Sequence, residues 1–180
     1  MTALTALETR RTSSCRPNEY LTDRRWSDKF IPTIKRIVGP YLLEESSFMV
    51  DTKQAADLIV LNAKSLSIAC RVRRHGFYER YPNQFTIRSK RDSGASTELE
   101  KIINGFADWM FYGHADQDGS ANILNWWLLD LTAWRSHMIR RDKQSIKYGQ
   151  QKNGDGTEFV WFDIASFRGD PKLVIAHSSP

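Results

Sequence analysis

The chain has 180 residues, 41% of them hydrophobic and 26% charged, with six Trp, six Tyr, nine Phe and a net charge of +5. That length suits one domain, and the composition suits a packed core rather than a disordered chain. No apolar run approaches the roughly 20 residues of a membrane helix, and two cysteines, Cys15 and Cys70, are too few for a disulfide framework.

Residues 1–22 are rich in Thr, Ser and Arg without an apolar period and read as a flexible lead-in; 23–180 read as a single α/β domain. The segment Met1–Glu8 is neither long nor apolar enough for a signal peptide, so the expected location is the cytoplasm, with both thiols free. Trp26, Phe30, Ile34 and Ile37 recur at helical spacing, with Ser27 as an N-cap and Gly39-Pro40 as a stop. Pro32 falls inside this pattern, so either the helix kinks there or its regular part starts there. The stretch from Tyr41 to Val50 fits a helix or an extended chain equally well.

Three strands are expected next. Asp57–Leu61 is a short β-rich run, and Leu66–Arg73 alternates, with Leu66, Ile68, Cys70 and Val72 on one face and Ser67, Ala69, Arg71 and Arg73 on the other. Phe85–Ser89 is the third; the short link at 62–65 suggests that the first two pair as a hairpin, the link from Arg74 to Gln84 is longer, and the three read as an antiparallel meander. Thr97-Glu-Leu-Glu100 has the capping-box form and opens a second helix with Leu99, Ile102, Ile103 and Phe106 on one face. Trp109–Tyr112 reads as a buried strand followed by a loop from Gly113 to Ser120. A third helix is expected over 122–141; its apolar girth, with Trp126, Trp127 and Trp134, suggests a sandwiched element or one that faces another subunit in a homo-oligomer. A polar loop at 147–158 separates it from short strands at Phe159–Phe162 and Leu173–Ala176. The fold class is α/β (α+β), a central mostly antiparallel sheet with flanking helices.

The charge is unevenly placed. Between residues 71 and 91 lie Arg71, Arg73, Arg74 and Arg80, then Arg88, Lys90 and Arg91, against one acid, Glu79. This window holds a surplus of six positive charges in a chain whose total is +5, so the remainder carries one more acid than base. Phe77, Tyr78, Tyr81 and Phe85 are interleaved with the cations. Cations neutralise phosphates and aromatic faces stack on bases, so the mixture suits nucleic acid, DNA or RNA. A hairpin whose arginines pair with acids of the same fold, and a surface for an acidic protein, are the alternatives.

The order of helix, three strands, helix and strand, with Asp57 opening the first strand, resembles the core of the PD-(D/E)xK nuclease superfamily. The resemblance covers residues 25–115. It implies metal-dependent phosphodiester cleavage with Mg²⁺, an Asp on one strand and an acid-x-Lys triplet on the next. Asp57 takes the first place as metal ligand. The next strand offers Ala69, Arg71 and Arg73, so the second carboxylate is missing, and Glu45, with Glu44 beside it, is the substitute. Arg71, Arg73 and Arg88 would then be phosphate contacts. The chain is also similar to a group of phage-encoded proteins in the strings IACRVRR, FTIRS and TELEKIINGFADWMFYG, a likeness that implies no activity; a host-cell inhibitor that binds a protein partner through the basic hairpin is the competing function. Asp116-Gln-Asp118-Gly119 and Asn153-Gly-Asp-Gly156 read as surface turns. His114 and His137 read as structural, with nothing in their spacing to make an acid–base pair.

Overall fold

The structure is a computed structural model that describes residues 24–45, 58–60, 66–91, 94–140 and 145–178, without the side chains of 43–45 and 58–60. The lead-in, Cys15 and Asp57 lie outside these residues. The elements are α1 (Ile31–Val38), β1 (Leu43–Glu45), β2 (Leu58–Val60), β3 (Ile68–Arg73), β4 (Gln84–Lys90), α2 (Glu98–Ile103), β5 (Trp109–Ala115), β6 (Ile123–Asp130), α3 (Leu131–Ile139), β7 (Tyr148–Lys152), β8 (Glu158–Asp163) and β9 (Val174–His177). They form a mixed α/β fold. One sheet has the order β3-β5-β6-β9, a second the order β4-β8-β7, and β1 pairs with β2. All pairings are antiparallel except β3 with β5.

Layering follows from alternation along the central strands. On β5, Phe111 points to one side while Met110 and Tyr112 point to the other; on β6, Leu128 and Leu129 divide in the same way. Phe111 and Leu128 meet Phe30, Ile34 and Val38 from the N-terminal helical segment. Met110, Tyr112 and Leu129 meet Phe85, Ile87 and Phe162 of the three-stranded sheet, together with Ile102 of α2 and Trp134 of α3. The four-stranded sheet therefore has an apolar layer on each face, and its central strands read as nearly continuous hydrophobic runs.

Pro32 marks the start of the regular helix: residues 24–28 are helical, a turn follows, and α1 begins with Pro in its first positions, where the missing N–H costs no intrahelical bond. The stretch after Gly39-Pro40 is a 3₁₀ turn followed by β1. The capping box forms as expected. Thr97 Oγ1 accepts from Glu100 N at 3.1 Å, and Glu100 Oε2 accepts from Thr97 N at 2.8 Å.

Three expectations are corrected. The strands do not form a meander: β2 pairs with β1, β3 runs parallel to β5, and β4 belongs to the other sheet. The expected helix over 122–141 is a strand followed by a helix. Asp130 ends β6 and caps α3, its Oδ1 accepting from Thr132 N at 2.7 Å and Ala133 N at 2.9 Å. A strand buried on both faces has no polar alternation, so periodicity alone does not separate it from a buried helix. The tryptophans consequently do not share one helix face: Trp126 stacks on Phe111, Trp127 lies against His177, and Trp134 meets Phe162 edge-on. Finally, the expected loop at 147–158 is mostly the hairpin of β7 and β8, turned at residues 153–157 with Gly156 at φ +85°. Gly149 is needed within it, because a Cβ there would lie 2.7 Å from the Trp161 indole.

Candidate nucleic-acid interface

Strand β3 is an edge strand of the four-stranded sheet, with β5 on one side. Its start is clamped to the start of β5. Ser67 N and Oγ both donate to Asp108 Oδ2, at 2.8 and 2.9 Å, and Ser67 O accepts from Asp108 N at 2.9 Å. These hydrogen bonds, the one from the Ser67 backbone foremost, hold the Asp108 carboxyl below the usual carboxylate range. From there the register runs Ala69 to Met110, Arg71 to Tyr112 and Arg73 to His114. Ile68 and Val72 pack toward the layer of α1, while Ala69 packs toward the other core. By strand alternation Arg71 and Arg73 share the Ala69 face, as the sequence pattern implied.

Along β3 runs a groove of about 740 Å³. Its walls come from β3, β4, α2 and the N-terminal helical segment. Arg71, Arg73, Arg88 and Arg91 line it as half-buried residues, and the more exposed Arg24, Arg74 and Lys101 complete its seven cations. The single acidic residue in its lining is Glu98.

The first residue of α2 is Glu98, so the capping box sets its position. Its Oε2 forms a salt bridge with Arg71 Nη1 and also accepts from Arg88 N at 3.0 Å. Both of its partners lie in the strands that wall the groove, so Glu98 ties the two sheets together and neutralises one guanidinium. Arg73 is held differently. Its guanidinium lies 4.2 Å over the Phe77 ring and 5.9 Å from Phe159, and Nη1 donates to Thr86 Oγ1 at 3.4 Å. Tyr112 Oη lies 3.3 Å from the same Thr86 oxygen. Burial, with Arg71 adding to it, pulls the Arg73 guanidinium below its ordinary pKa, against the opposing influence of Tyr112 and Tyr81. No salt bridge among the described residues neutralises Arg73, Arg88 or Arg91. Arg91 Nε is buried without a hydrogen-bond partner, and Arg88 sits near enough to Asp155 to help depress that carboxyl, behind the larger effect of hydrogen bonds from Thr157.

Behind Arg73 lies His114, 1% exposed, between Tyr78 and Tyr112. Burial, and then the Arg73 charge, push its pKa down to about 4, with Glu79 opposing. His114 is therefore neutral at pH 7, and its Nδ1 has no partner. His137 belongs to other surroundings: Nε2 lies 2.8 Å from Pro171 O and its ring rests edge-on against Phe167.

Of the seven cations expected from the sequence, Arg71, Arg73, Arg74, Arg88 and Arg91 line the groove. Lys90 instead pairs with Glu158 at 3.4 Å, and Arg80 lies outside the lining on an exposed turn. The basic hairpin is corrected to two strands of different sheets facing one cleft. Among the aromatics, Phe77 lines the groove, but Phe85 is core, stacked on Phe162 at 5.2 Å, and Tyr78 covers His114. Arg24, Lys101, Trp26 and Phe106 were not anticipated as groove residues; they arrive from segments distant in sequence.

Asp57 lies outside the described residues, as does the side chain of Glu45, whose backbone pairs with Leu58. Among the described residues no three His, Cys, Asp or Glu side chains converge to hold a metal. The groove itself does not fit a divalent ion: its one carboxylate is engaged by Arg71, and Mg²⁺ requires hard oxygen ligands. Cys70, free and exposed, faces the same cleft. No helix among the described residues is long and apolar enough to cross a membrane. Comparison with family models, with curated proteins and with solved structures returns no match.

Proposed function

We propose that the protein binds nucleic acid through the groove along β3. The observation that carries this reading is the lining: beside Arg24, which pairs with Asp28, and Arg71, which holds the one lining acid, stand the half-buried Arg73, Arg88 and Arg91, none in a salt bridge among the described residues. Half-buried guanidinium groups without carboxylate partners are costly unless an anion arrives from outside. The fold tolerates Arg73 by stacking and a hydroxyl contact, which satisfy its plane and a donor but leave its charge uncompensated. A phosphodiester backbone supplies anions at regular spacing, and arginine forks match them. An oligonucleotide titration tests the reading. With several phosphate contacts, affinity should fall by orders of magnitude between about 50 and 200 mM salt. Absent or salt-insensitive binding contradicts it.

Metal-dependent cleavage is the second reading. It is favoured by the resemblance to PD-(D/E)xK nucleases and by the pairing of Glu45 with Leu58, the residue that follows Asp57 in sequence. Incubating DNA and RNA with Mg²⁺ or Mn²⁺ tests it, with Asp57→Ala as the control. Cleavage that survives that substitution removes Asp57 from the chemistry. An acidic protein surface would satisfy the same electrostatics; retention of one acidic partner after nuclease treatment would favour it.

A further inference from the structure

The groove's shape and its unspent aromatic group carry the reading one step further, to the class of nucleic acid. Phe106 is 71% exposed in the turn that follows α2 and lines the groove with Lys101. It makes none of the ring contacts that occupy the other groove aromatics: Phe77 is covered by Arg73, and Trp26 meets Phe30 edge-on with Arg74 4.9 Å from its ring. Its backbone is nonetheless fixed. Phe106 N donates to Lys101 O at 3.0 Å, and its carbonyl accepts from Ser67 Oγ at 3.2 Å. A large apolar ring is thus held in water by a well-tied backbone, in a cleft that also carries seven cations.

Position matters as much as exposure. Phe106 is tied to the chain at Ser67, just before β3, whereas the stacked pair of Arg73 and Phe77 stands at the far end of that strand. Strand geometry makes the distance from residue 67 to residue 73 roughly 20 Å. Between the two ends stands Arg71, with Arg88 close by through their shared partner Glu98, and the lining also holds Arg91; all three are half-buried. A duplex keeps its bases stacked inside and presents phosphates on a broad convex surface, so it would meet the rim but neither reach these groups nor offer a base to Phe106. A single strand does both, because its backbone is slender and its bases are free to splay onto aromatic and guanidinium planes. The groove volume, about 740 Å³, is also that of a small-ligand cleft rather than a duplex-wide face.

We infer that the groove takes single-stranded nucleic acid, its backbone running along β3 over the guanidinium groups and one of its bases stacked on Phe106. This rests on the reading that the groove binds nucleic acid at all.

The test is fluorescence anisotropy, at one salt concentration, with three probes: a short labelled oligothymidylate, a labelled duplex of equal length, and inorganic polyphosphate as competitor. The unaltered protein should bind the single strand at least about tenfold more tightly than the duplex. Phe106→Ala should weaken single-strand binding about 5- to 150-fold, the range for losing one base–aromatic stack. It should leave the inhibition constant of polyphosphate unchanged, and Phe106→Tyr should restore single-strand affinity. Because the side chain is exposed, the alanine variant is expected to keep the thermal midpoint of the parent. Duplex binding as tight as single-strand binding, or an Phe106→Ala variant with undiminished affinity, overturns the inference while leaving the nucleic-acid reading standing. Failure of all three polyanions to bind overturns both.

Discussion

Strands β3 and β5 are parallel neighbours in one sheet, matched residue for residue, yet they have opposite surroundings. On β5, Met110, Phe111 and Tyr112 are sealed between two apolar layers. One step across the ladder, their partners Ala69, Cys70 and Arg71 line an open cleft. The sheet is thus a scaffold at its centre and a charged surface at its edge, and the edge is where cations can be concentrated without losing the core. An interior strand could not carry Arg71 and Arg73, because a buried guanidinium needs a partner that apolar layers do not supply.

The largest effect expected from this contrast is on β5. Phe111→Ala should cost about 3–5 kcal/mol in denaturant unfolding, since the ring is fully buried between Trp126 and the α1 layer. Loss of less than about 1 kcal/mol would show that β5 is not the structural centre.

The boundary between the two strands is sharpened by pH. His114 is held neutral in the folded protein, with a pKa of about 4 against 6.5 when unfolded. Between those values the unfolded chain binds the proton and the folded chain does not, so stability present above about pH 6.5 should be lost progressively as pH falls to about 4. The full difference is on the order of 3 kcal/mol. Unfolding free energies across this window should slope upward with pH, and His114→Gln should flatten the slope. An unchanged slope in that variant assigns the dependence to other groups.

A smaller effect is expected at the groove. Glu98→Gln removes the one negative charge of the lining and the carboxylate that holds Arg71. Stability should fall by about 1–3 kcal/mol, while affinity for polyanions should rise, because Arg71 is released and the cleft gains net charge. Reduced affinity in a folded variant would mean that Glu98 orders the site more than it neutralises it.

Much of this contrast was legible in the sequence. The capping box at Thr97 announces α2 through local hydrogen bonds, and the alternation of 66–73 places Arg71 and Arg73 on one face. The concentration of charge between 71 and 91 pointed to the cleft, because five of those seven cations line it. What local reasoning misassigned were partnerships made over distance. Parallel pairing of β3 with β5 leaves no mark in either strand, so the order of the strands and the short link at 62–65 suggested a meander instead. The apolar run at 123–134 conceals a strand-to-helix junction that depends on one residue, Asp130, acting as a cap. Lys101 and Phe106 looked like the ordinary ends of an amphipathic helix until folding brought them beside β3, and Arg24 carried no signal at all.

The account depends most on the groove guanidinium groups being available to phosphates, and the salt dependence of binding measures that directly. Each phosphate contact with a single strand contributes about 0.7 to the slope of log affinity against log salt. Relative to the unaltered protein, the double substitution Arg88→Gln and Arg91→Gln should therefore reduce the slope by about 1.4 and weaken binding at low salt, with the fold intact. An identical slope in the two proteins would contradict the account, since it would place the anion somewhere other than this cleft.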